Sequence, residues 1–195
     1  GPKLTVDRHG KKDSAYDFDN QNDYIDIPNH PSLHINNEMT ISIWLKLDSI
    51  PTNGTSNYIL TKAWYEGDDH DSYAKHGLQM KLSDYKNWDA LIADSNSLSD
   101  GVVHDLPAVP YSYGIPFDKL PLNRFFHVVY TYDGEYIRAY MEGSLFAVSN
   151  KMQGTLDAIK GNLQIGQGAD LTPPNIPQAS NPSFIGVADD LRIYN

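Results

Sequence analysis

The sequence predicts an all-β fold, a two-sheet antiparallel β-sandwich of jelly-roll type, and three observations carry that expectation. First, Met39–Leu47 alternates without a break: Ile41, Ile43, Leu45 and Leu47 share one face, and Thr40, Ser42, Trp44 and Lys46 share the other. That is the pattern of a strand with one side on a core. Second, residues 125–132, 136–141 and 144–149 alternate and are separated only by Asp133-Gly134-Glu135 and Glu142-Gly143. They read as an antiparallel meander. Third, the 195 residues include 13 Tyr, 14 Gly and 12 Pro and no long segment of helical period, a composition of strands joined by many turns.

From the N-terminus, Gly1-Pro2 reads as the scar of a cleaved tag, and residues 3–14 (KLTVDRHGKKDS) as a polar lead-in with at most one short strand. Residues 1–13 are therefore set apart as scar and lead-in, and residues 14–195 as one domain. A short strand (16–19), a polar turn (20–22) and a second strand (24–27) lead through a Pro-closed loop into the long strand at 39. Residues 49–57 are a loop, 58–61 a strand, and 62–77 a long polar loop carrying aromatic residues. Strands at 78–82 and 89–93 are joined by the turn SDYKNW. Residues 94–123 carry Pro107, Pro110, Pro116 and Pro121, and an irregular segment of that size in a compact domain is usually functional or disordered. After the meander come a short strand (162–165), a Pro-rich crossing (171–182) and a closing strand (184–194). The total, about ten to twelve strands, suits two packed sheets.

Charge narrows the partners. Twenty-five acidic residues against 15 basic give a formal charge of -10, which argues against nucleic acid or an anionic membrane as the partner and suits neutral ligands or divalent cations. With no Cys, neither a disulfide framework nor a thiolate metal site is possible. In the closing strand Val187, Asp189, Leu191 and Ile193 fall on one face by alternation, which puts Asp189 on the core side. A buried carboxylate is costly unless it is paired or binds metal. Its partner is either a cation such as Arg124 or His127, or Ca²⁺ with its six to eight or so oxygen ligands. The turn holding Asp19, Asn20, Asn22 and Asp23 is either solvated or part of such a site, provided the first and last strands are neighbours.

Four blocks, in this order, carry a resemblance: SAYDFDNQNDYIDIPNHPSLHINNEMTISIWLKL, HVVYTYDGEYIRAYMEGSLFAVS, NLQIGQG and FIGVADDLRIYN. Together they resemble the laminin-G-like domains of the concanavalin A-like superfamily, most of all those of bacterial secreted polysaccharide-degrading enzymes and surface adhesins. The resemblance covers the chain from about residue 14 onward, outside the two long loops. It implies a jelly roll with a structural Ca²⁺ near the ends of the first and last strands. Asp189 stands where the superfamily's C-terminal strand presents a metal carboxylate, with Asp19, Asn22 and Asp23 among the remaining ligands. Two departures stand out: Phe126 precedes His127 where many relatives have Trp, and the Asp-rich segment that usually precedes the lead-in is missing.

Sugars are bound by stacking on aromatic rings and by hydrogen bonds from planar polar side chains. Trp64, Tyr65, Asp69, His70 and Tyr73 of the first long loop, Trp88 of the SDYKNW turn, and Tyr111 and Tyr113 of the second loop are the candidates. The plainer reading has the Trp rings plugging the sandwich ends. Trp44 faces either the second sheet or an open surface, and Tyr130, Tyr132, Tyr136, Arg138 and Tyr140 form either a packing layer or a glycan platform. Glycoside hydrolysis needs two carboxylates flanking the bond. The Glu-x-Asp-x-x-Glu strand of catalytic jelly-roll relatives has no counterpart among Glu38, Glu66, Glu135 and Glu142. The expected function is a non-catalytic carbohydrate-binding module, stabilised by structural calcium. It belongs to a secreted or surface bacterial protein and is an accessory to a polysaccharide-degrading enzyme. Its partner is polysaccharide or glycan, with no nucleic acid and no membrane, and it is a monomeric module of a larger chain. An adhesion or spacer module that binds protein is the alternative.

Overall fold

Alternating strands bury one face only if a second sheet covers it, and here the covering partners come from far along the chain. The computed structural model describes residues 1–20, 22–34, 38–51, 57–64, 76–83, 87–93, 115–116, 119–149, 151, 161–167 and 183–194. The strands are β1 (Lys3–Thr5), β2 (Ala15–Phe18), β3 (Ile25–Ile27), β4 (Met39–Leu47), β5 (Asn57–Trp64), β6 (His76–Ser83) and β7 (Asn87–Ala93). They continue with β8 (Ile115–Pro116), β9 (Phe125–Tyr132), β10 (Ile137–Met141), β11 (Ser144–Val148), β12 (Leu163–Ile165) and β13 (Gly186–Tyr194). One seven-stranded sheet has the order β1-β2-β13-β4-β9-β10-β11, and a six-stranded sheet has β3-β12-β5-β6-β7-β8. The named strand pairings are antiparallel throughout. The fold is the antiparallel jelly-roll sandwich that the alternation implied.

Ile41, Ile43, Leu45 and Leu47 of β4 are fully buried, as are Phe126 and Val128 of β9 and Leu60, Met80 and Leu82 of the opposing sheet. The even members of β4 stay half-buried on the outer face. Phe18 and Phe184, with ring centroids 4.8 Å apart, close one region of the core. Tyr130 and Tyr132 turn inward to this core, whereas Arg138 and Tyr140 lie on the outer face. Packing therefore claims part of the Tyr stripe. In the meander, Glu142 and Gly143 both take positive φ (51° and 78°), the two-residue turn whose twist matches antiparallel strands.

The lead-in is part of the fold, since β1 pairs with β2 and forms the edge of the seven-stranded sheet. Strands β5 and β6 run further than expected and take in Lys62–Trp64 and His76–Gly77 of the stretch read as a loop. Such polar residues carry no apolar alternation, and it is the ladder between the two strands that holds them extended.

One expectation about β13 fails. Gly186 and Ala188 pair with the inward-facing Leu47 and Leu45, so Val187 and Asp189 lie with Lys46 and Trp44 on the outer face. A bulge then shifts the register between Asp189 and Arg192, with Asp190 at φ 51°. Beyond it Ile193 pairs with Ile41 and faces inward. The extra residue of a bulge inverts the phase of the residues beyond it. Strict alternation thus places Asp189 beside Leu191 and Ile193 when it belongs to the opposite face.

Candidate functional site

The metal ligands expected from the sequence fall into two places. The pairing of β13 with β2 matches Gly186 to Phe18 and Ala188 to Tyr16. Asp189 thus comes level with Ala15, while Asp19 lies beyond the other end of β2. At the ordinary strand rise those positions are about 13 Å apart along the strand. In the turn, Asp23 is 6% exposed and its Oδ2 accepts the Asn20 N–H at 3.1 Å, while Oδ1 lies 3.3 Å from the Gly1 amino group. Asn20 Oδ1 accepts the Asn22 N–H at 3.1 Å. Asp19 is exposed and pairs with Lys3, which holds its carboxyl below the usual range. Asp19, Asn22 and Asp23 therefore share one turn, and Asp189 is elsewhere.

Asp189 is 7% exposed and paired. Its Oδ2 accepts from Arg8 Nη1 at 2.7 Å and from the Arg8 N–H at 3.3 Å. The cation is thus Arg8, neither Arg124, which reaches the Phe125 carbonyl, nor His127, whose Nε2 lies 2.7 Å from Ser42 Oγ. Arg8 Nη2 also donates to Asp190 Oδ2 at 2.9 Å, and its guanidinium lies 5.0 Å from the Trp44 ring centroid. Trp44 in turn stacks on His127, with centroids 4.9 Å apart and planes at 19°. The expected calcium does not fit here as a four-residue site. The donors are separated, Asp189 Oδ2 already accepts two N–H groups of Arg8, and among the described residues no group of three or more His, Cys, Asp or Glu is placed to hold a metal.

The expected sugar contacts lie largely outside the described residues: Tyr65, Asp69, His70, Tyr73, Tyr111 and Tyr113 all do. Trp64 ends β5, paired with His76, and Trp88 lies in β7, paired with Leu82 and Ile115.

A polar constellation not anticipated from the sequence occupies the outer face of the six-stranded sheet. In β3 and β12, Ile25, Ile27, Leu163 and Ile165 face the core, so Asp26 and Gln164 pair on the outside, with Thr61 of β5 next in the row. Asp26 Oδ2 accepts from Asn162 Nδ2 at 2.8 Å, and Oδ1 accepts from Gln164 Nε2 at 3.3 Å. Asn162 Oδ1 accepts the Asn29 N–H at 3.0 Å, and Asn29 Oδ1 accepts from Lys62 Nζ at 2.8 Å. Lys62 is fully buried, also donates to the Gly161 carbonyl at 2.6 Å, and is held below the usual lysine range by burial. A buried ammonium thus anchors a hydrogen-bond chain that ends on an exposed carboxylate. Tyr24, two residues before Asp26 and just outside β3, is 46% exposed. Thr61 Oγ1, on a residue 1% exposed, has no hydrogen-bond partner among the described residues. The alternation in YIDI and LQI exposes Asp26 and Gln164 in the sequence, but nothing local says that these two strands are neighbours.

The fold has relatives among known proteins. The sequence profile of the concanavalin A-like lectin/glucanases superfamily, of laminin G type, matches residues 19–195. No curated protein matches the sequence. Among solved structures, domain 4 of the extracellular arabinanase AbnA from Geobacillus stearothermophilus, in complex with arabinotriose, superposes with TM-score 0.60 at 17% identity, over 100% of this chain and 75% of that one. Domains LG4-5 of the mouse laminin alpha1 chain give TM-score 0.57 at 13% identity, over 92% and 40%. The botulinum neurotoxin serotype D ligand binding domain, in complex with N-acetylneuraminic acid, gives 0.56 at 13%, over 98% and 40%. The chain spans less than half of the latter two.

Proposed function

Because the chain belongs to the concanavalin A-like lectin/glucanases superfamily, through its laminin G-type members, we propose that it is a non-catalytic carbohydrate-binding module. The observation that carries this reading is the outer-face set of Asp26, Asn162 and Gln164, held by the chain from Lys62, with the exposed Tyr24 two residues before Asp26. An exposed ring offers a stacking face for a sugar's C–H surface, and the fixed carboxylate and amides match adjacent hydroxyls. Anchoring the row in advance lowers the ordering cost of binding. Asp26 and the net charge of -10 disfavour anionic sugars, so the substrate class is a neutral polysaccharide. The arabinanase neighbour, crystallised with arabinotriose, lends support to a neutral glycan, whereas the toxin domain with N-acetylneuraminic acid, an anionic sugar, supports glycan binding on this fold only in general. The module's place is outside the cell or on its surface, attached to a larger protein that acts on or adheres to polysaccharide.

A second reading, a protein-binding adhesion or spacer module, is favoured by the edge strand β11, where Leu145 (54%), Phe146 (39%) and Val148 (39%) are exposed. Affinity electrophoresis in gels containing neutral polysaccharides, arabinan included, together with a glycan array, separates the two. The expected result is retardation by at least one neutral polysaccharide, weakened about tenfold or more in Asp26→Ala, since a hydrogen bond to a charged group contributes about 1.5–3 kcal/mol, and weakened also in Tyr24→Ala, which removes the stacking ring. Binding unaffected by either substitution moves the site elsewhere. No binding to any glycan removes the proposal and leaves the second reading.

A further inference from the structure

We propose that the cation that closes the last strand of this chain is the Arg8 guanidinium, so that Asp189 and Asp190 are held without a metal ion. Two consecutive carboxylates at a bulge repel each other, and one of them sits on a residue 7% exposed. Something positive has to lie between them. Arg8 does so with both ends of its fork, Nη1 to Asp189 Oδ2 at 2.7 Å and Nη2 to Asp190 Oδ2 at 2.9 Å. Arg192 covers the other oxygen of Asp190 at 2.8 Å. Two guanidinium groups against two carboxylates leave no charge for a divalent ion to neutralise. An ion bridging Asp189 Oδ2 and Asp190 Oδ2 would have to displace Arg8.

The position of Arg8 is prepared rather than incidental. Asp7 Oδ1 accepts the N–H groups of His9 and Lys11 at 2.8 and 2.9 Å, and the Asp7 N–H donates to the Lys11 carbonyl at 3.0 Å. This closes a tight loop that aims Arg8 back across the sheet. The guanidinium plane is covered by Trp44, itself backed by His127, and a planar delocalised cation is the side chain that such a ring accepts. Calcium instead demands six to eight or so oxygen donors, and the Asn20–Asp23 turn that was to supply them lies at the far end of β2. Arg8 also lies outside the residues matched by the family profile, which begins at 19. The resemblance implies a metal, and a residue the resemblance does not reach takes its role.

The test compares thermal melting of the full chain, Arg8→Ala, Arg8→Lys, Asp189→Asn and the Arg8→Ala/Asp189→Asn double variant, each in millimolar calcium and in EDTA. The wild type is expected to melt at the same temperature in both. Arg8→Ala and Asp189→Asn are each expected to lose roughly 6–20 °C, the range for breaking a buried ion pair in a domain of this size. The double variant should lose little more than the worse single, because the pair is one interaction. Arg8→Lys should recover only part of the loss, a point charge being unable to span both carboxylates; if Arg8→Ala does not fold, this variant carries the comparison. A wild-type melting point that falls in EDTA, with the sensitivity abolished in Asp189→Asn, overturns the proposal. So do single losses that simply add in the double variant.

Discussion

Asp190 takes a left-handed backbone conformation (φ 51°) with its carboxylate between Arg8 and Arg192. The Arg192 hydrogen bond first, and Arg8 after it, hold that carboxyl below the ordinary range. Asp133 is drawn down further, to about 2, by Arg138 and by the N–H groups of Tyr136 and Glu135. A carboxylate whose folded pKa lies below its unfolded value stabilises the fold in full above the unfolded value and loses that contribution as pH falls through the folded one. The urea midpoint is therefore expected to stay level from about pH 7 to 5 and to fall between the ordinary value of 3.8 and about 2. Asp133→Asn should remove the portion of the fall that ends near pH 2. Asp133 is 44% exposed, so solvent screening limits its share to about 1 kcal/mol or less. A midpoint that rises on acidification would contradict this account.

At the scale of the element, β13 is the strand to which most else is referred, lying between β2 and β4 and carrying the bulge. Its entry depends on Gly186. A Cβ there would lie 2.0 Å from the Lys46 carbonyl oxygen, and φ is 146°. Gly186→Ala must move backbone on the neighbouring strand, and a loss of about 2–4 kcal/mol is expected. Gly143 separates the two contributions. Its φ of 78° is also left-handed, but nothing lies within 4 Å of an added Cβ, so Gly143→Ala should lose only about 1–2 kcal/mol from backbone strain. Equal losses in the two variants, read from urea unfolding, would mean that the close approach at Gly186 is relieved at little cost. The bulge also explains why the alternation of Val187, Leu191 and Ile193 assigns Asp189 to the wrong face. A single residue in an unusual conformation inverts a face without leaving any mark in hydrophobic periodicity.

At the scale of the molecule, each sheet joins local hairpins through pairings of strands distant in sequence, β2-β13-β4-β9 in one and β3-β12-β5 in the other, and the chain's first residues form one edge. Residues 1–13, which composition marks as a lead-in, provide β1 and Arg8. Removing them strips β2 of its outer neighbour and takes away the guanidinium paired with Asp189. The truncated chain is expected to melt at least as far below wild type as Arg8→Ala does. It should also show concentration-dependent aggregation from the newly exposed edge. Differential scanning fluorimetry with light scattering checks both, and a truncated chain as stable as the full one would return these residues to the status of a lead-in.

Whatever depends on local period and turn chemistry is legible in the amino-acid order alone. The unbroken alternation of β4 and β9 and the Glu142-Gly143 turn are readable there, and with them the sandwich and the family. Register between distant strands is not, and it had to come from the folded chain. The fold brought Asp26 next to Gln164, led the buried Lys62 to Asn29, and separated the Asp19–Asp23 turn from Asp189. The physical reason is that a strand's own residues specify which of its faces is oily, whereas the identity of its neighbour comes from the closing of the whole two-sheet core. A polar site on an outer face, or an arginine reaching back from the lead-in, is a consequence of that closure and has no periodic signal of its own.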